Sequence, residues 1–167
     1  RDGMYVLWVE DEKGLRGFET DVRMNRDGAL VIMHDDSIER TTQGTGSVED
    51  LTATELRSIR TKEGNSILFL DELVTFLSDK PGLYVEFEMK TNPHRYPEEK
   101  LDGYCGKLYE SVIPRMPAGS TVVFTSFDER PLIRMRDTFP GVNLMFITSQ
   151  PCCEASISAT LDLGLNR

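Results

Sequence analysis

The sequence Gly17-Phe18-Glu19-Thr20-Asp21-Val22 decides the fold, because it places two carboxylates at the end of a predicted strand. The strand is predicted over Leu15 to Val22, an apolar run of strand length that polar residues bound. Residues two apart in a strand project from the same face, so Glu19 and Asp21 share one face. Ionisable side chains at the end of a strand are typical of functional sites in α/β proteins.

A second strand is predicted over Leu30 to Met33, and His34 follows it directly. The turn signal Asp27-Gly28 lies between this strand and the first one. The connection is too short for a full helix, so the two strands form either a hairpin or a tightly joined parallel pair. An earlier apolar run, Met4 to Val9, also has the length of a strand, but its place in the fold is open.

Helical segments and further strands alternate along the rest of the chain. Strands are predicted over Leu83 to Met89, Thr121 to Phe127 and Asn143 to Ile147. Helical spacing or capping signals are found in four segments: Thr52 to Ile59, Leu70 to Leu77, Leu101 to Val112, and Leu132 to Phe139 with Asp128 as its N-cap. This alternation predicts an α/β protein with a parallel sheet.

Three ionisable residues alternate at the end of the strand Leu83 to Met89, namely Glu86, Glu88 and Lys90. Two carboxylates from the first strand and one from this strand would form a cluster of hard oxygen ligands suited to Mg²⁺ or Ca²⁺. Salt bridges such as Glu88 with Lys90 are the alternative. We favour the metal site because five consecutive strands end in polar or ionisable residues. Strand alternation alone does not separate Glu86 from Glu88.

Two histidines and three cysteines offer further candidates for chemistry. His34 is predicted to be catalytic because it follows a strand beside the acidic cluster, and an ordinary imidazole titrates near ~6.5. His94 lies in a loop between Pro93 and Pro97 and is expected to be exposed. Cys105 lies on the apolar stripe of a helix and is expected to pack as a small apolar residue.

Composition limits the function classes. The net charge of -9 argues against a nucleic-acid-binding protein, and no apolar run approaches the ~18 residues of a membrane span. The odd number of cysteines, without a C-x-x-C pair, favours a reducing compartment, so the cytoplasm is expected.

Residues 1–167 are predicted to form one domain, with the polar, Gly/Thr-rich segment 35–66 as a small insertion above the sheet. The pattern gives no prediction of oligomeric state.

Seven segments of the sequence, taken in their order and spacing, form a pattern that can be compared with known families. They are Gly17 to Val22, Asp27 to Asp35, Arg40 to Gly46, Val48 to Leu56, Leu68 to Leu77, Tyr84 to Lys90 and Phe124 to Asp128. Together they resemble the glycerophosphodiester phosphodiesterases over most of residues 15–147. The resemblance implies a (β/α)₈ TIM barrel with a small insertion, residues 35–66, after the third strand.

The resemblance also implies a reaction: metal-dependent hydrolysis of glycerophosphodiesters to glycerol 3-phosphate and an alcohol. In this family pattern a divalent metal, Mg²⁺ or Ca²⁺, is held at the positions of Glu19, Asp21 and Glu88. It would activate the glycerol hydroxyl for attack through a cyclic phosphate. His34 would be one of two acid/base histidines, and Lys90 would bind the phosphate. Glu86 would then support the site or the fold.

One part of the family pattern is missing. The family's first catalytic histidine lies in a His-Arg pair at the end of strand one, and Arg1 to Lys13 does not resemble that region. Barrels of this kind typically have ~250 residues, so the chain is expected to be incomplete at both ends. The alternatives are a non-catalytic relative that binds phosphate and metal, and a related phospholipase-type barrel phosphodiesterase.

Overall fold

Strands and helices alternate through residues 14–165, which are the residues that the structure, a computed structural model, describes. The strands in this range are β1 (Gly17–Met24), β2 (Leu30–Ile32), β3 (Tyr84–Met89), β4 (Thr121–Ser126) and β5 (Asn143–Phe146). The α-helices are α1 (Ala53–Ser58), α2 (Leu70–Leu77), α3 (Glu98–Val112), α4 (Glu129–Thr138) and α5 (Glu154–Asp162), and 3₁₀ turns lie at Val48–Asp50 and Ile113–Arg115. The predicted strand Met4 to Val9 lies outside the described residues.

The strands form one sheet in the order β2-β1-β3-β4-β5. Strands β1, β3, β4 and β5 are parallel, whereas β2 is antiparallel to β1. The connection at Asp27-Gly28 is therefore a hairpin. Gly28 has a φ of +85°, a conformation that glycine adopts without strain, and the Asn25 side chain accepts a hydrogen bond from the Ala29 amide at 2.6 Å.

The apolar core lies between this sheet and helices α2, α3 and α4. Phe87 and Phe124 contribute buried rings from β3 and β4, and the buried Tyr104 hydroxyl on α3 donates a hydrogen bond to the Val22 carbonyl at 2.8 Å. The β2 and β5 strands are the two edges of the described sheet, which hydrogen bonds do not close. A mostly parallel, unclosed sheet with helices in its crossovers is consistent with part of a β/α barrel.

The local signals for helices are confirmed. Thr52 and Glu55 form the capping box of α1, and the Asp128 carboxylate accepts a hydrogen bond from the Arg130 amide at the start of α4. Cys105 is buried on α3, and burial raises the pKa of its thiol to about 12, so it packs as an apolar residue. Helix α5 has no counterpart among the predictions, because it carries no buried apolar stripe. No helix within residues 14–165 has both the length and the apolar character for crossing a bilayer.

Segment 35–66 follows β2, the second strand of the described range, and has a small apolar cluster of its own. Ile38, Val48 and Leu56 are fully buried there and pack with Val31 and Phe69 from its two flanks. Isolated bridges such as Thr42 with Thr61 hold the segment to itself. The segment is therefore a small folded unit inserted between strand β2 and helix α2.

Helix α3 provides a test of the core. Leu108 is fully buried, so Leu108→Ala is expected to lower the free energy of unfolding by about 2–5 kcal/mol through lost burial and a cavity. Glu110 lies on the exposed side of the same helix, so Glu110→Ala is the matched control and should change stability by less than about 0.5 kcal/mol. Urea denaturation followed by circular dichroism measures both. Equal losses in the two variants would contradict this packing.

Candidate active site

The register of β1 and β3 brings the predicted metal ligands together. Asp21 is the direct partner of Glu88 across the two parallel strands, and Glu19 lies two residues before Asp21 on the same face. One ligand oxygen from each of these three carboxylates lies within 4.8 Å of the others. The sequence prediction that Glu19, Asp21 and Glu88 are neighbours agrees with this geometry.

This carboxylate cluster has less positive charge around it than it needs. Burial, followed by repulsion from Asp21 and Glu88, raises the pKa of Glu19 to about 7, although part of its side chain still reaches solvent. The Asp21 Oδ1 atom is buried and accepts no hydrogen bond. An acid that resists ionisation and a buried oxygen without a hydrogen-bond donor both indicate that positive charge at the cluster would be stabilising.

Lys90 supplies one positive charge to the cluster. Its Nζ atom lies 2.8 Å from the Glu88 Oε1 and 3.4 Å from the Asp21 Oδ1. The contact with Asp21 is an ion pair but not a hydrogen bond. The salt bridge that was the alternative to a metal site is therefore present. One lysine offsets one of three carboxylates, so the set of hard oxygen donors still fits a divalent cation.

Glu86 lies on the same strand as Glu88 but is not part of the cluster. Its Oε1 atom accepts a hydrogen bond from the Tyr84 hydroxyl at 2.7 Å, and it contributes only the last of the causes that raise the pKa of Glu19. The structure thus distinguishes the two glutamates that strand alternation left equivalent.

His34 follows β2 and lines a cleft of about 410 Å³. Residues of the sheet and of segment 35–66 line this cleft together, among them Asp21, Arg40 and Lys62. The backbone around His34 is fixed, since the Met33 amide donates to the Asp21 carbonyl at 3.0 Å. His34 and a member of the carboxylate cluster therefore face one cavity. His94 is exposed in the loop after β3, as expected.

Arg23 is a structural part of the site that the sequence predictions missed. Its guanidinium is buried, donates to the His34 carbonyl at 2.8 Å and pairs with Glu49 at 3.0 Å and with Asp36 at 2.6 Å. Glu49 in turn accepts a hydrogen bond from the buried Tyr96 hydroxyl at 3.1 Å. Arg23 lies two residues after Asp21, so the alternation that groups Glu19 with Asp21 was the signal that could have found it.

Asp128, another residue at a strand end, serves the fold. It caps α4 and its carboxylate pairs with the Arg130 guanidinium at 2.6 Å and accepts from the Thr91 hydroxyl at 2.9 Å. Those contacts lower its pKa against the opposing effect of burial, so the group is ionised and its charge is already paired.

Comparison with known proteins gives the fold and the family. A relative from Caldanaerobacter subterraneus named glycerophosphodiester phosphodiesterase is 37% identical over 99 residues, which are 54% of this chain and 40% of the relative. A relative from Bacillus altitudinis with the same name is 28% identical over 144 residues, covering 81% of this chain and 56% of the relative. The chain thus spans about half the length of these relatives.

Two solved structures resemble the chain closely in fold. An Oleispira antarctica phosphodiesterase in complex with the product sn-glycerol-3-phosphate has a TM-score of 0.79 at 23% identity and covers 95% of this chain and 65% of its own. A Silicibacter pomeroyi protein described as a glycerophosphoryl diester phosphodiesterase has a TM-score of 0.80 at 18% identity, and the match covers 99% of this chain and 68% of that protein. Both are TIM barrels, so the predicted barrel fold is confirmed.

The model of the glycerophosphoryl diester phosphodiesterase family matches residues 11–155, which are most of the sequence. The matched range includes Glu19, Asp21, His34 and Glu88. The chain belongs to the glycerophosphoryl diester phosphodiesterase family.

Proposed function

We propose that this protein hydrolyses glycerophosphodiesters to glycerol 3-phosphate and an alcohol. The observation that carries the proposal is the cluster of Glu19, Asp21 and Glu88, whose Asp21 lines the same cleft as His34. A carboxylate cluster beside a histidine in a polar cleft suits phosphodiester cleavage by acid/base catalysis. The named relatives, and a structural neighbour that holds sn-glycerol-3-phosphate, support the same reaction.

The three carboxylates would hold a divalent cation, Mg²⁺ or Ca²⁺. When bound there, the cation would neutralise phosphate charge and polarise the attacking glycerol hydroxyl. The chain contributes the ligand oxygens, their spacing and the strand register that fixes them. The buried Asp21 Oδ1 atom, which accepts no hydrogen bond and has only the ion pair with Lys90, is the oxygen that such a cation would serve most directly.

His34 and Lys90 would act on the substrate. His34 would exchange a proton with the substrate oxygen, since its ring is exposed to the cleft and imidazole changes protonation state near neutral pH. Lys90 would stabilise negative charge on the phosphoryl oxygens, because its ammonium group lies within 3.4 Å of two of the proposed metal ligands.

We keep the cytoplasm as the predicted compartment, since Cys105, Cys152 and Cys153 are free thiols.

A second candidate function is binding of a phosphate and a metal without turnover. The observation that favours it is that, among residues 14–165, His34 is the one histidine that lines the cleft. A binding protein and an enzyme differ in one measurable respect, which is release of product. A phospholipase-type activity would instead require cleavage of lipid substrates rather than of water-soluble diesters.

The metal requirement is tested by release of glycerol 3-phosphate from glycerophosphocholine. EDTA is expected to abolish release, and added Mg²⁺ or Ca²⁺ is expected to restore it. Glu88→Gln should lower kcat/KM at least about 100-fold, because a ligand charge is lost from the site. Glu86→Gln is the matched control on the same strand and should stay within about threefold of the wild-type value. Turnover that EDTA leaves unchanged would rule out the proposed mechanism.

The role of His34 is tested by His34→Ala in the same assay. Loss of a general acid or base is expected to lower kcat by about 10² to 10⁴-fold. His94→Ala is the control, because His94 is exposed in a loop outside the cleft and should leave kcat unchanged. Phosphate binding by His34→Ala, measured by calorimetry, should persist. If no variant or metal condition gives turnover while phosphate still binds, the second candidate function is correct.

A further inference from the structure

The ring of His34 is anchored through one nitrogen by the next residue in the chain. The Nδ1 atom of His34 lies 2.7 Å from the Oδ1 atom of Asp35. The Asp35 side chain is 23% exposed and the imidazole is 63% exposed, so the carboxylate is the more buried partner of a ring that lines the cleft. This arrangement leaves Nε2 as the ring nitrogen without a partner from Asp35.

Arg40 from segment 35–66 holds the Asp35 carboxylate from its other side. Its Nη2 atom donates to the Asp35 Oδ1 at 3.0 Å, and its Nε atom contacts the Oδ2. The hydrogen bonds from Arg40 and then from His34 hold the pKa of Asp35 well below its usual range. Asp35 is therefore ionised at neutral pH, and an ionised carboxylate can only accept hydrogen bonds.

Arg40 itself is supported by backbone contacts on both sides. The Thr41 carbonyl accepts from the Lys62 amide at 3.0 Å, and the Thr42 amide and hydroxyl both donate to the Ile38 carbonyl, at 2.9 and 2.8 Å. Ile38 is fully buried in the apolar cluster of the segment. The guanidinium therefore starts from a fixed backbone, which a group that positions another side chain requires.

These contacts determine which ring nitrogen carries the hydrogen. An acceptor-only carboxylate at Nδ1 requires a hydrogen on that nitrogen, and the lone pair of the neutral ring then lies on Nε2. We propose that Asp35, held by Arg40, is the positioning residue that fixes His34 in its Nδ1–H tautomer and so assigns proton transfer to Nε2. This inference rests on the proposed role of His34 in catalysis.

The tautomer can be read without reference to activity. Long-range ¹H–¹⁵N correlation spectra of the ¹⁵N-labelled full-length protein, at about pH 8.5 where an ordinary histidine is neutral, separate the two tautomers. His34→Gln assigns the His34 signals, and His94 is an internal reference ring outside the cleft. The expected wild-type result is a His34 ring protonated at Nδ1.

Three variants test the cause. Asp35→Ala should lose the fixed Nδ1–H form, Arg40→Gln should give a mixture of tautomers, and Glu63→Ala, which removes another carboxylate lining the cleft, should leave the tautomer unchanged. Asp35→Asn is the second variant if Asp35→Ala does not fold, and it should also give a mixture, because an amide can donate as well as accept. The lost anchor should lower kcat at least about tenfold with KM within about threefold.

The results separate this inference from the proposed function. A wild-type His34 ring protonated at Nε2, or an Nδ1–H ring that persists in Asp35→Ala, would overturn the positioning role whatever the activity. A kcat that Asp35→Ala leaves at the wild-type value would overturn it as well. Absence of turnover in the wild-type protein would contradict the proposed function, and the tautomer spectra would still report on the Asp35 contact.

Discussion

Repulsion between three carboxylates at the ends of two adjacent strands is the constraint on which the site depends. The β1–β3 register fixes Asp21 opposite Glu88, so the chain cannot separate the charges without breaking the parallel ladder. Separation of the strands would also expose the flanking residues Val22, Phe87 and Met89, which are buried in the core. The protein therefore offsets the charge with a nearby lysine, with a proton on Glu19 at neutral pH, or with a cation.

Segment 35–66 is joined to this site by the buried pair of Arg23 and Glu49. A buried ion pair gains little net stability, because desolvation of both charges opposes their attraction. Its value here is positional, since the same guanidinium contacts the His34 carbonyl and Asp36 as well. The Tyr96 hydroxyl completes the network by donating to Glu49 and accepting from the Met24 amide at 2.8 Å. Arg23 thus ties β1, His34 and the segment to one another.

Patterns with a short range were predictable from the sequence, and pairings between distant residues were not. Strand alternation and helical spacing depend on neighbours within a turn or two, so they located β1 to β5 and α1 to α4 to within a few residues. Pattern alone could not decide between a hairpin and a parallel pair at Gly28, because both keep the same alternation. The pairing of Arg23 with Glu49 spans 26 residues of sequence, and only the folded chain reveals it. Helix α5 was not predicted, because none of its residues is buried and its sequence therefore lacks an apolar stripe.

The difference between Glu86 and Glu88 shows how a side-chain contact completes what strand geometry begins. Both project from one face of β3, and the register places Glu86 opposite Glu19 just as it places Glu88 opposite Asp21. The exposed Tyr84 ring, one alternation earlier, donates its hydroxyl to Glu86, whereas Lys90, one alternation later, holds Glu88 next to Asp21. The two carboxylates of the strand therefore have different donors, Tyr84 for Glu86 and Lys90 for Glu88. The acidic centre has three members because the donor of Glu88 also pairs with Asp21, whereas the donor of Glu86 belongs to a residue outside the cluster.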